Sequence, residues 1–344
     1  MANQSEAPST TFSVKVGGET FTQAGAGAVV SLRFEDHLDM IDVVSLRLGG
    51  SLSDPGWKVE IGQEVELSVG DSDAKLFVGE VVALEPTMSV SGGSSLLVRA
   101  MDKMHRLSRG RKSRAFEEMA DSDIVSKVGK EIGLSVSADS TSPKHAYVLQ
   151  RNESDLTFLR RLAARNNHVL RVVEGKLSFK KAQFSGSGFK VALGENLQSI
   201  RLSVNSMDQV QSVVVRGWDP ISKGEIVGSA STSDIETIGD GELGAKIAGR
   251  FGDSTAYVTD IPISDQSTAD VIAKAEINRL ARQFVRGTAT IKGNPGLTAG
   301  CLVTFDGLHD GFNGTYYVLA SRHTISTAAG YTTEFTFCSN CAGE

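Results

Sequence analysis

Residues 147–181 read YVLQRNESDLTFLRRLAARNNHVLRVVEGKLSFKK, and how this run folds decides how the rest of the chain is read. Ser154 stands where an N-cap oxygen would satisfy orphan amides, and Leu156, Leu159 and Ala163 recur at helical spacing with Phe158 and Leu162 beside them. The spacing predicts one amphipathic helix. Beyond it, residues 169–173 and 176–180 read as short strands joined at Glu174-Gly175, so the helix can lay its apolar stripe on a hairpin. This small α/β module carries no catalytic groups: Arg160, Arg161 and Arg165 are expected on the wet face of the helix.

Upstream, Asp121-Ser122-Asp123 opens a second helix carrying Ile124, Val128 and Ile132 and closed by Gly133. Before it lies the one basic cluster, Arg99, Lys103, His105, Arg106, Arg109, Arg111, Lys112 and Arg114. No aromatics interleave it and Glu117 and Glu118 follow, so it reads as a charged connector or subunit contact rather than a nucleic-acid patch. Further back, apolar and polar residues alternate at Phe12, Val14 and Val16, at Leu32 and Phe34, and at Val44, Leu46 and Leu48. The pattern continues at Val65, Leu67 and Val69, in a run over residues 76–84 stopped by Pro86, and at Leu96, Val98 and Ala100. Six strands with no long helix between them indicate a closed or nearly closed antiparallel barrel or sandwich.

Downstream, Ile200, Leu202 and Val204 alternate, and a β-rich run over 211–218 ends at Asp219-Pro220. A short helix is expected over 241–250 and a strand over 256–261. A capping box at residues 267–270 then starts a helix striped by Ile272, Ala275, Leu280 and Phe284. Strands at 287–292, 301–305, 315–320 and 331–337 close the chain. Gly62-Gln63-Glu64-Val65-Glu66-Leu67 and Gly300-Cys301-Leu302-Val303-Thr304-Phe305 share a Gly-x-x-Val-x-apolar pattern, which suggests two barrels of one kind. The fold class is therefore α+β, mainly β: two antiparallel β-barrel domains with small α/β insertions. The division is a flexible leader at 1–10, a first barrel at 11–108, an α/β module at 109–195, and a second barrel at 196–344 with a helical insertion around 222–286.

Composition agrees. With 344 residues the chain has room for two or three domains, and 36 Gly against 7 Pro suits many Gly-punctuated turns. A net charge of -6 and a pI near 5.6 argue against stable binding to nucleic acid or an anionic membrane. There is no apolar run of ~18 residues and no signal-peptide core, so the chain is expected to stay in a cytosol. Cys301, Cys338 and Cys341 are an odd count and read as reduced thiols. Cys338 and Cys341 form a lone C-x-x-C, which only Cys301, His309 or His323 could complete as a metal site, and no metal or cofactor is expected. Asp71 with Asp73, and Asp306 with Asp310, read as turn acids rather than calcium ligands. His37, His105 and His168 are expected on exposed turns or connectors. No nucleophile elbow, zinc helix, Walker loop or dinucleotide loop is present, so the reading is non-enzymatic.

The run Gln150-Arg151-Asn152-Glu153-Ser154-Asp155-Leu156, with Phe158-Leu159 and Leu162-Ala163, resembles the Q-x-N-x-S-D-x-x-F-L-x-x-L-A segment of contractile-tail baseplate hubs. These are the phage late control protein D family and the N-terminal half of the type VI spike protein VgrG. Residues 110–116 with 122–125 are similar to that family's connector and first inserted helix. Residues 293–297 with Gly300 and Val303, then 314–318 and His323, are similar to its closing strands. The resemblance implies two tube-like barrels, a homotrimer forming a pseudo-sixfold ring, and a structural adaptor between a hexameric inner tube and a trimeric spike. It implies spike, inner tube or tube-initiator, and other baseplate proteins as partners, in a phage tail, tailocin or extracellular injection particle assembled after synthesis in a bacterial cytoplasm. Spike-fused relatives continue into an oligonucleotide-fold domain and a β-helix, so a separate spike protein is expected. The rival readings are a glycan-binding module and a hydrolase resting on a carboxylate pair.

Overall fold

A computed structural model describes residues 11–22, 28–50, 57–70, 75–89, 93–173, 175–219, 221–263, 265–309, 311–326 and 330–343. The expected leader at 1–10, the pair Asp71 and Asp73, and also Glu174, Pro220 and Asp310, lie outside the described residues.

The first region contains β1 (Phe12–Val16), β2 (Glu19–Phe21), β3 (Val29–His37), β4 (Val43–Gly50), β5 (Glu64–Val69), β6 (Lys75–Ser89) and β7 (Gly93–Met101). A 3-10 helix, Lys103–Ser108, leads into a module of β8 (Lys112–Met119), α1 (Asp121–Glu131), β9 (Val136–Ala138) and β10 (His145–Glu153), then α2 (Asp155–Arg165), β11 (His168–Val173) and β12 (Lys176–Lys181). The last region runs β13 (Phe189–Ala192), β14 (Leu197–Val204), β15 (Ser212–Asp219), β16 (Gly224–Ser231), α3 (Gly244–Ala248), β17 (Thr255–Val258) and α4 (Gln266–Ala281). It ends with β18 (Val285–Lys292), β19 (Leu302–Asp306), β20 (Gly314–Ser326) and β21 (Gly330–Ser339). Strands hold 51% of the residues against 18% in helices, and most pairings are antiparallel, so the class is α+β and mainly β.

The two β regions share one sheet of 13 strands, because β3 pairs with β20 in register from Ser31↔Ser326 to His37↔Ala320. Each region curls as a half-barrel of that sheet instead of closing on itself. The halves repeat one another. In the first, β3, β4, β7, β6, β5 and β1 are neighbours in that order; in the second, β14, β18, β21, β20, β19 and β13 are neighbours in the same order. Chain order matches too, with β15, β16, β17, α3 and α4 inserted after the second strand of the second copy. Even the irregularities coincide: register shifts fall at Val29/Ser31 and Leu197/Ser199, and at Val81/Ala83 and Val318/Ala320. The Gly-x-x-Val-x-apolar echo occupies equivalent places at β5 and β19, where Gly62 and Gly300 take positive φ of 92° and 87°. Two differences remain: β1 meets β5 antiparallel while β13 meets β19 parallel, and β1 also pairs with β2, which has no counterpart beside β13 among the described residues.

Alternation along the strands builds the cores. Val44, Leu46, Leu48, Val65, Leu67, Val98 and Ala100 point into the first half-barrel, and Ile325 from β20 completes that cluster. Val191, Ile291, Val303, Phe305, Phe335 and Phe337 fill the second. The module has its own core, in which Phe158 stacks on Phe116 with centroids 5.4 Å apart. In the insertion, α4 lies on the β16-β15-β17 sheet, and Gly228 lets them approach: a Cβ there would sit 2.3 Å from the Ala269 carbonyl carbon.

Several expectations need correction. The strand over 76–84 continues through Pro86 to Ser89, because among the described residues β6 beyond residue 80 is paired on the β7 side alone, where an edge proline is tolerated. The basic cluster is spread from Arg99 in β7 through the 3-10 helix to Lys112 and Arg114 in strand β8, and residues 147–153 belong to strand β10. The helix over 241–250 is reduced to Gly244–Ala248 and a 3-10 turn. Helix α4 is capped by Asp265, whose carboxylate accepts from the Thr268 amide at 2.8 Å, not by Ser267, and it ends before Phe284. The Ser154 cap is as read: its hydroxyl accepts from the Thr157 amide at 3.2 Å.

Candidate functional site: a charged seam and open sheet edges

Where the two half-barrels and the module meet, three aspartates are buried together. Asp36 on β3, Asp42 before β4 and Asp102 after β7 are 1%, 8% and 3% exposed. Asp36 accepts from the Ala299 amide at 2.7 Å and from Arg171 Nη2 at 3.3 Å, while Arg171 also donates to the Ala299 carbonyl. Arg171 comes from β11, so one guanidinium ties the module to both half-barrels. Asp102 accepts from the Met104 and Asp42 amides at 2.7 and 3.1 Å, and Asp42 accepts from the His37 amide at 3.0 Å. Burial disfavours charge on all three. It raises the Asp36 carboxyl against the pull of Arg171, and lifts Asp102 to about 6. Burial, with repulsion from Asp36 and Asp102, lifts Asp42 to about 8. A cleft of about 840 Å³ opens beside this cluster, walled by Phe34, Phe77, Val172 and Pro295.

Six members of the basic connector meet acids, while Arg111 donates to the Asn152 carbonyl. Arg106 and His105 both reach Glu80 of β6, and Arg106 donates to the Ile132 carbonyl at the end of α1. Lys112 and Arg114 hold Asp155 at 2.7 and 2.8 Å, and Arg114 also grips Glu131. Arg99 pairs with Glu85, and Lys103 with Glu64. The expectation that the α2 arginines share the wet face holds only for Arg161, which pairs with Glu153 above the Phe158 ring. Arg165 turns inward to Asp121, where Nε meets Oδ2 at 2.6 Å; the Arg160 Nε is buried without a hydrogen-bond partner. Burial works against the Asp121 charge, yet hydrogen bonds from His145 and Arg165 outweigh it and hold this carboxyl near 2.

The other candidates are dispersed. Cys338 and Cys341 sit in different hydrophobic clusters, and burial pushes the Cys338 thiol up to about 11. Cys301 is half-buried and its thiol is raised by burial. His323 is buried on Phe34 and bonded to the Tyr331 hydroxyl at 2.9 Å, and burial lowers it to about 4. Asp306, the last residue of β19, and His309 in the loop after it are exposed. His37, His105 and His168 are half-buried rather than exposed; His105 is drawn in by Glu80, and His168 by Phe179. Among the described residues no three His, Cys, Asp or Glu side chains group as a metal set, and no helix is long and apolar enough to cross a membrane.

What the sequence did not single out is the open surface. Among the described residues, strand β14 has β18 as its neighbour and residues 84–88 of β6 have β7, so each shows one backbone edge without a second strand beside it. On the β16-β15-β17 sheet, the face away from α4 carries Trp218, Val227 and Tyr257, all exposed, with Arg216 over the Tyr257 ring. Surfaces of these two kinds join proteins rather than transform small molecules.

A family model described as Alg8 N-terminal domain matches residues 7–327. The chain belongs to this family. No curated protein matches it. Among solved structures, this member of the Alg8 N-terminal domain family is similar to the 43 kDa tail protein of prophage MuSo2 from Shewanella oneidensis. That match has a TM-score of 0.72 at 15% identity and covers 96% of this chain and 98% of the other. A tail protein from Neisseria meningitidis MC58 gives a TM-score of 0.72 at 13% identity, covering 96% and 97%. The E. coli c3393 protein, a component of the type VI secretion system with structural similarity to T4 bacteriophage tail proteins gp27 and gp5, gives 0.65 at 13%, covering 95% and 76%. At such identities the shared property is the fold, and it extends over nearly the whole chain.

Proposed function

We propose that this protein is a structural baseplate hub of a contractile injection machine, of the late control protein D type and akin to the N-terminal half of VgrG. The observation that carries the reading is the internal duplication: six strands paired in one order occur twice, with matching register shifts. Three copies of a chain with two such half-barrels present six nearly equivalent places around an axis that is strictly threefold. A hexameric inner tube is seated on one face and a trimeric spike on the other. Residues 11–108 supply the first half-barrel, 196–344 together with β13 supply the second, and the rest of 109–195 braces them through Arg171.

The role is mechanical rather than catalytic, with spike, inner tube or tube-initiator, and other baseplate proteins as partners. The particle is a phage tail, a tailocin or an extracellular injection system, assembled after synthesis in the bacterial cytoplasm. The fold shared with tail proteins and with a type VI secretion component supports this reading. Light scattering on purified protein is expected to give three copies, alone or once spike is added, and affinity capture should retain tube or spike from the same gene neighbourhood. A monomer that captures neither, even with spike present, would overturn the proposal.

A further inference from the structure

On the outer face of the shared sheet, where α4 ends, a pocket of about 480 Å³ spans strands of both half-barrels. Register sets its floor. Cys338 on β21 lies opposite Arg286 on β18, Thr336 lies opposite Ala320 on β20, and Ala320 lies opposite His37 on β3. These side chains therefore share one face, while Phe335 and Phe337 of β21 alternate to the other and fill the core of the second half-barrel. Arg282 and Gln283, at the C-terminal end of α4, supply one wall.

The cations of this pocket outnumber its anions. Arg279 is paired with Glu276 on its own helix, but Arg282 and Arg286 form no ion pair among the described residues. Arg282 is half-buried, its Nη2 donates to the neutral Asn167 Oδ1 at 2.6 Å, and burial lowers its pKa. A guanidinium keeps its charge at any ordinary pH, and a charge drawn out of water without a counter-ion is costly. Asp39, the one acid among the described lining residues, is exposed and attracts Arg282 without closing an ion pair. The Cys338 thiol, pushed up to about 11 by burial, stays protonated and adds no negative charge. Gln283 and Thr336 line the same space, and their side chains have no hydrogen-bond partner among the described residues. Two unpaired guanidiniums, an amide and a hydroxyl thus face one cavity in a chain whose net charge is -6.

From this we infer that the pocket takes the carboxylate of an acidic side chain presented by another protein chain. The planar fork of an arginine matches a carboxylate with two charge-assisted hydrogen bonds, and Gln283 and Thr336 can donate to the remaining lone pairs. The apolar part of the lining narrows the choice. Leu319, Ala320 and Met40, the last 51% exposed, offer hydrocarbon that a bare oxyanion such as phosphate would leave uncovered and that the methylenes of a glutamate would cover. The site lies on the face away from the half-barrel cores, so a partner reaches it without any strand being displaced. It does not depend on the threefold ring, and its failure would leave that reading untouched.

The test is titration of the full-length protein into a fluorescently labelled hexaglutamate peptide, followed by anisotropy at low salt, with hexaglutamine peptide and inorganic phosphate as the other arms. Hexaglutamate should bind, hexaglutamine should not, and the binding should fade as salt is raised. Arg286→Gln and Arg282→Gln should each weaken binding at least about tenfold, whereas Arg33→Gln, exposed on β3 outside the lining, should leave it unchanged. Arg286 is exposed, so its variant reports on the pocket even if loss of the Arg282–Asn167 bond lowers stability. Hexaglutamate binding that survives both pocket variants, or no hexaglutamate binding at low salt, overturns the site. Phosphate that binds in an Arg286-dependent way while hexaglutamate does not overturns the assignment of an acidic side chain.

Discussion

Replacing Asp42 by Asn tests whether the seam holds a carboxyl that keeps its proton at neutral pH. Asp42 is buried beside Asp36 and Asp102, and burial and their like-charge repulsion lift it to about 8 against the weaker pull of Arg171. In the unfolded chain the same group titrates near ~3.9. The folded pKa is raised, so the folded state binds a proton the unfolded state has released. Stability from this group is fully present below pH ~4 and is lost as pH rises toward 8. The slope has an upper limit of about 1.4 kcal/mol per pH unit, giving a few kcal/mol between pH 5 and pH 8. Asn keeps the size and the acceptor for the His37 amide but carries no titrating proton. The stability difference between Asp42→Asn and the natural chain should therefore grow in the variant's favour from pH 5 to pH 8 and level off above it. Urea unfolding at each pH, read as the difference, removes the opposing term from His323, which burial lowers to about 4 and which costs stability as pH falls below ~6.5. A difference that is flat across the range would refute the argument.

Phe158→Ala removes a fully buried ring stacked on Phe116 and should cost about 3–5 kcal/mol, seen as a lower melting temperature. Arg165→Met leaves the Asp121 carboxylate buried without its guanidinium, and should cost about 3–5 kcal/mol at pH 7. Since the Asp121 pKa is depressed to about 2, its pairing stabilises the fold above pH ~4 and is lost as pH falls through 2, so the Arg165→Met penalty should shrink in acid-unfolding curves below pH ~4.

Much of the fold was legible because it is local. Alternation at Val44, Leu46 and Leu48 or at Val65, Leu67 and Val69 marks a pleated strand whatever lies beside it, and Ser154 followed by Leu156, Leu159 and Ala163 marks a capped helix. The Gly62 and Gly300 echo carried the duplication because positive φ demands glycine at both places. Strand β8 was hidden since its charges pair with acids 17 to 43 residues away, at Glu131 and Asp155, which no local pattern reveals. Pro86 misled for a related reason: whether a proline stops a strand depends on whether its amide has a partner. The inward turn of Arg165 was decided by Asp121, on another helix.

The sequence by itself determined the β-rich class, the capped helices, the repeated strand pattern and the lack of a catalytic motif, because each is written in the spacing of neighbouring residues. Only the tertiary structure decided that the two halves share one sheet through β3 and β20 and that Arg171 meets Asp36 across 135 positions. Backbone pairing and burial belong to strands far apart in the chain, and a residue's own neighbours carry no record of them.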